Sequence, residues 1–205
     1  ADHPGVLYTF EGAQSEQRDT LGGLQRGFTL ALLVIYALLA IPLRSYLQPL
    51  VIMSAIPFGL VGAVWGHVLM GIDLTILSMF GAVALSGVVV NDSLVMVDFI
   101  NRHRETHPLT EAVRAAGVAR FRAILLTSLT TFFGLLPLLL ERSLQAKFLV
   151  PMAVSLGFGV VFATFISLVL VPSGYMIAED LRSGVRRLLG VPDESNEAPA
   201  REAVR

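Results

Sequence analysis

Asn91, Asp92 and Ser93 interrupt a run of hydrocarbon side chains, Gly87-Val-Val-Val-Asn91-Asp92-Ser93-Leu-Val-Met-Val-Asp98-Phe-Ile-Asn101, with a second aspartate six residues after the first. An aspartate at the centre of a membrane helix costs about 2.5–3.5 kcal/mol on insertion scales. A carboxylate kept at that cost reads as part of an ion or proton pathway between packed helices. Asn91 and Asp98 are seven residues apart and lie near one helix face, with Gly87 one turn from Asn91. Asp92 is rotated by about 100° from Asn91, so the two cannot meet one partner in the same way. The plainer reading makes Asn91 and Ser93 interhelical hydrogen-bonding groups and pairs Asp98 with Arg102 at the membrane edge. For Asp98 the plainer reading is preferred. For Asp92, near mid-span, the functional one is.

A second polar set comprises Thr127, Ser128, Thr130 and Thr131, followed by Gly134 and Pro137. Thr127, Thr131 and Gly134 share a face by their spacing. Such hydroxyls either relay protons through water or bond to the carbonyl one turn back. Small residues at Gly59, Gly62, Ala63 and Gly66, and again at Gly157, Gly159 and Ala163, are close-packing signatures. Gly87 joins Gly59, Gly62 and Gly66 as an expected packing position, and His67 is expected to pack at the outer edge. Ala84-Leu-Ser86-Gly87 is near the Gly-x-Ser-Gly of rhomboid intramembrane proteases. A serine dyad needs its base within hydrogen-bond reach. Here His67 precedes the serine, His103 and His107 fall in a polar loop, and the first glycine is alanine.

These residues need membrane helices to hold them, and the composition supplies them. The chain has 205 residues, 54% hydrophobic and only 15% charged, where a soluble domain has about 25% charged. Its net charge of −1 and lack of cysteine argue against nucleic-acid binding, disulfides and thiolate metal sites; neither a metal nor a cofactor is expected. Apolar runs at 24–41, 47–70, 74–100, 121–140 and 148–177 each approach the roughly 20 residues that span a bilayer. The reading is an all-α membrane protein of five transmembrane helices. A transmembrane domain at 24–177 is expected to contain a cytoplasmic 101–120 loop, whose segment from Pro108 forms a short interfacial helix.

Loop charges set the orientation. With Arg102, Arg104, Arg114, Arg120 and Arg122 inside, Arg44, Arg182, Arg186 and Arg187 also fall inside, against Arg18, Arg26, Arg142 and Lys147 outside. The amino terminus is then external and the carboxyl terminus cytoplasmic. Val6–Phe10 is β-rich, and Ser15–Gln25 suits a short helix leading into the membrane. Residues 1–23 therefore read as a strand-and-helix remnant of an extramembrane domain, since one strand is unstable alone. Residues 178–205 read as a polar, disordered tail. The chain opens Ala-Asp-His-Pro without an initiator methionine, which reads as a fragment of a longer protein or a processed product.

Several blocks together resemble the resistance-nodulation-division (RND) efflux permeases: Leu38-Leu-Ala-Ile-Pro-Leu-Arg-Ser-Tyr-Leu-Gln-Pro49, Ile56-Pro-Phe-Gly-Leu-Val-Gly62, Gly87-Val-Val-Val-Asn-Asp-Ser93, Val97-Asp-Phe-Ile-Asn101 and Arg122-Ala-Ile-Leu-Leu-Thr-Ser128. The resemblance runs from about Pro4 to Asp180 and keeps the order of the blocks. It implies the C-terminal half of a permease: the end of the periplasmic porter domain and transmembrane helices eight to twelve. It further implies export driven by the proton-motive force in homotrimers of a Gram-negative inner membrane, with a periplasmic adaptor and an outer-membrane channel. Proton coupling in the family relies on carboxylates of helix four facing helices ten and eleven. By position Asn91 stands where many drug exporters have a lysine, Thr127 matches a helix-eleven threonine and Arg120 a basic residue below it. Without that lysine, Asn91 cannot form the charge pair. The expected relay is Asp92, Asn91 and Thr127, with Asp98, Ser93, Thr131 and Arg120 as secondary polar positions. Two rivals remain: a non-transporting membrane scaffold and an intramembrane serine protease.

Overall fold

The structure, a computed structural model, describes residues 12–143 and 145–188. Six α-helices follow in order: α1 (Ala13–Leu43), α2 (Leu47–Met53), α3 (Ile56–Met70), α4 (Ile76–His103), α5 (Leu109–Leu139) and α6 (Val150–Leu188). A 3₁₀ turn at Ala146–Phe148 leads into α6. Among the described residues there is no strand; the expected strand at Val6–Phe10 lies outside them. Five segments are long and apolar enough to cross a membrane: Ser15–Leu43, Leu47–Met70, Ile76–His103, Leu109–Leu139 and Val150–Gly184.

The helices outrun the apolar runs that announced them. Ser15–Gln25 is not a separate short helix but the first turns of α1, and the helix expected from Pro108 is the beginning of α5. A helix already nucleated in lipid propagates into polar sequence at little cost, and the hydrophobic run marks only its membrane-embedded portion. The 101–120 loop therefore contracts to the link at 104–108. The expected tail at 178–205 is likewise helical as far as Leu188. The second span is divided: α2 ends at Met53, and Pro57 stands in the first turn of α3. A proline ring removes one amide donor and clashes with the carbonyl four residues back, here that of Met53.

α6 is the hub, packing against α2, α3, α4 and α5. Glycines let it approach α3 closely. A Cβ on Gly62 would run into the Phe162 side chain, and one on Gly66 would stand 2.5 Å from Phe158 Cβ. Gly159 of α6 returns the fit, its Cα side lying against Leu85 and the Gly59 carbonyl. In lipid, apolar burial supplies no net drive between helices, so close van der Waals packing and interhelical hydrogen bonds carry the association. α1 touches only α2 and α4 appreciably, and its apolar surface is almost wholly uncovered.

Polar ties sit at both ends of the bundle. At one end, Thr75 caps α4 in a reciprocal box with Ser78, and the Ser78 hydroxyl also meets His67 Nε2 at 2.8 Å. His67 Nδ1 lies 2.9 Å from the Ala63 carbonyl. A carbonyl only accepts, so Nδ1 carries the proton and Nε2 accepts from Ser78. His67 is thus a buried tie between α3 and the start of α4. At the other end, Gln48 of α2, Asn101 of α4 and Tyr175 of α6 form a closed set. Gln48 donates to Asn101 Oδ1 at 3.1 Å, Asn101 donates back at 3.0 Å, and the Tyr175 hydroxyl donates to Asn101 at 2.6 Å. Arg104 and Glu179 pair beside it. The hydrogen bond that Arg104 donates to Glu179 holds the guanidinium above its ordinary proton affinity.

Candidate functional site

α4 presents two different faces, and the polar residues divide between them. Leu85, Val89, Asp92, Met96 and Ile100 follow one another at three- and four-residue steps, and all are buried. Phe80, Ala84, Gly87, Asn91 and Val95 form the opposite stripe, and all are exposed. Asp92 is therefore turned into the bundle, 9% exposed, while Asn91 points away from it. The rotation of about 100° between consecutive residues separates them as the sequence required.

The Asp92 carboxylate makes no hydrogen bond or ion pair with any described residue. A buried charge is normally paired or hydrogen-bonded, so this group is the anomaly of the bundle. Beside it, the Ser93 hydroxyl is fully buried and also has no partner among the described residues. Asp98 behaves differently: its side chain is 45% exposed and pairs with Arg102 at 3.0 Å across one helical turn.

On α5, Thr127 is exposed and donates to the Ala123 carbonyl at 2.9 Å. Thr131 donates to the Thr127 carbonyl at 2.9 Å, and Thr130 bonds back in the same way. These hydroxyls satisfy themselves on their own helix. No hydrogen bond joins Asp92, Asn91 and Thr127 to one another. Ser128, one residue on, is the buried member: it contacts the Thr164 hydroxyl of α6 at 2.5 Å while donating to Ile124. Arg120 lays its guanidinium 4.9 Å from the centre of the Phe99 ring, and its Nε is buried without a hydrogen-bond partner among the described residues.

Gly59, Gly62 and Gly66 lie in the α3–α6 contact, but Gly87 does not: nothing stands within 4 Å of a Cβ built on it. The reason is its register, which puts it on the outward stripe with Asn91. Gly81, which the sequence reading passed over, is a packing glycine, since a Cβ there would strike the Met152 carbonyl. The serine dyad is not assembled. Ser86 donates to the Val83 carbonyl at 2.6 Å, and His67 is engaged with Ser78. Gln48, Tyr175, Thr164 and Glu179 went unnoticed in the sequence; polar atoms inside apolar runs were the available signal.

The fold and site define a polytopic helical membrane protein with a buried carboxylate near the middle of its third span that has no partner among the described residues. The class narrows on comparison. Residues 3–179 match the model of the AcrB/AcrD/AcrF family, and the chain belongs to that family. It is similar to the multidrug resistance protein MdtC of Edwardsiella ictaluri, 30% identical over 190 residues, covering 92% of this chain and 18% of that protein. MdtC of Salmonella paratyphi B is 29% identical over 181 residues, covering 87% of this chain and 18% of the relative. Two crystal forms of a heavy metal efflux pump superpose with TM-scores of 0.73 and 0.75, at 28% and 26% identity, covering 86% of this chain and 18% of each pump chain. The chain thus spans less than a fifth of the length of the relatives it matches. Family membership and five apolar helices make it part of an RND permease of the inner membrane.

Proposed function

We propose that this chain is the C-terminal membrane segment of a proton-driven RND exporter, exchanging protons for drugs or other hydrophobic compounds, and inactive without the rest of the permease. Asp92 takes and returns the proton, Asn91 hydrogen-bonds the neighbouring segment, and Thr127 supports the relay from α5. The observation that carries this reading is the buried Asp92 carboxylate with no partner among the described residues. A group left so at mid-membrane needs a proton or a partner. The outward stripe of α4, with Asn91 beside the Gly87 notch, supports a second point. It offers a polar contact and room for a close helix, which suits the helix-four carboxylates of the N-terminal half. Protonation of Asp92 would alter which helix packing is favoured and pass that energy to the porter domain. The working assembly is a homotrimer with a periplasmic adaptor and an outer-membrane channel, with the N-terminus periplasmic and the C-terminus cytoplasmic.

The names of the relatives favour drugs as cargo, while the likeness to a heavy metal efflux pump supports metal ions as a second substrate class. The test is Asp92→Ala in the intact permease. Loss of both drug export and substrate-driven proton flux is expected, with trimer abundance unchanged. Normal transport per assembled pump would remove Asp92 from the relay and favour the scaffold reading. A fall in assembly alone would do the same.

A further inference from the structure

At the end of the bundle that carries the His67–Ser78 tie, two interhelical connections border an open pocket of about 620 Å³. Ligand sites usually fall between about 300 and 1,000 Å³. Ile72, Asp73 and Thr75 line it from the α3–α4 connection; Glu141, Arg142 and Lys147 line it from the connection that leads to α6. Its position is the ends of four membrane-spanning segments, where a bilayer's polar layer begins.

Its charges are unspent. Arg142, Lys147 and Asp73 make no ion pair among the described residues. Glu141 is different: one carboxylate oxygen accepts the backbone N–H groups of Arg142 and Ser143, both at 2.9 Å. That contact shapes the turn and leaves Asp73 as the uncommitted carboxylate. Next in sequence to the lining residues Leu139, Lys147 and Val150, the side chains of Leu140, Phe148 and Leu149 are exposed at 68%, 69% and 45%. Two cations and one free carboxylate lining a pocket, with exposed apolar side chains adjacent to them in sequence, match a molecule with an anionic phosphodiester, a primary ammonium and acyl chains.

We propose that this pocket is a headgroup site for a zwitterionic aminophospholipid of the ethanolamine class. The phosphodiester sits between Arg142 and Lys147, the ammonium donates to Asp73, and the acyl chains run down past Phe148 and Leu149. A quaternary choline headgroup cannot donate to Asp73, and a glycerol headgroup has no cation to offer it. The site stands independently of the relay, since it uses none of its residues.

The test uses the intact membrane-extracted protein in nanodiscs containing equal fractions of phosphatidylethanolamine, phosphatidylglycerol and phosphatidylcholine. Bound lipids are counted by native mass spectrometry. Enrichment of phosphatidylethanolamine is expected. Each basic residue removed from the pair, by Arg142→Ala or Lys147→Ala, should weaken it about five-fold. Asp73→Asn, a change at an exposed side chain without partners, should shift the preference toward phosphatidylglycerol. Lipid adducts indifferent to headgroup, or unchanged in these variants, would overturn the proposal. So would cross-links from residue 147 to another segment of the polypeptide filling the pocket.

Discussion

Asp92 and Asn91 are neighbours in sequence with opposite surroundings, and that contrast sets what each can do. Asp92 is turned into its own bundle and 9% exposed, so a proton can reach it only along that narrow opening. Asn91 is directed outward and has only hydrogen bonds to offer. At the α5–α6 turn a carboxylate is engaged quite differently. The amides of Ser143 and Arg142 hold Glu141 below the usual carboxylate range. A depressed carboxylate adds stability above its ordinary range and loses it as pH falls through the lowered value. Hydrogen exchange at the Arg142 and Ser143 amides should therefore be protected at neutral pH and lose protection only in acid. Glu141→Gln should remove most of that protection at every pH. Arg104 has the opposite sign but no consequence at ordinary pH, because its raised affinity is lost only in strong alkali.

Between elements, the decisive contact is α3 on α6. Gly62→Ala and Gly66→Ala would push a methyl group into Phe162 and Phe158, and overpacking of this kind costs about 1–3 kcal/mol. Gly87→Ala meets nothing within 4 Å and should stay within about 0.5 kcal/mol of the parent chain. Reversible unfolding in mixed micelles would check the three together. The glycines also mark where the sequence stops being legible. Spacing tells which of them share a face, yet not which face is covered, so it groups Gly87 with the packing glycines and leaves Gly81 out. The five spans were readable because apolar length is a strong signal. The true starts of α1 and α5 were not, because helical turns outside the lipid carry no such run. The Gln48–Asn101–Tyr175 set joins residues 53 and 127 positions apart, a pairing that no local pattern encodes. Asp92, by contrast, stands out in the sequence as a carboxylate inside an apolar run, while the direction it faces does not.

For the molecule as a whole, α1 and the outward stripe of α4 are uncovered surfaces, and the chain spans 18% of the length of the relative it matches. The proposed orientation rests on the loop arginines and is readily tested, because the chain has no cysteine. With Gln145→Cys, an impermeant maleimide should label intact cells from outside. With Thr106→Cys, labelling should require opened membranes. The reverse pattern would invert the topology.

The central claim is that Asp92 exchanges a proton inside the membrane, and a hydrophobic carbodiimide tests it most directly, since it attacks only a protonated carboxyl group. Applied to the intact permease in native membranes and read by peptide mass spectrometry, it should modify Asp92 increasingly as the pH is lowered. Transported substrate should change that modification, and Asp92→Asn should abolish it. An Asp92 that stays unmodified at every pH while carboxyl groups elsewhere in the membrane react would contradict the account.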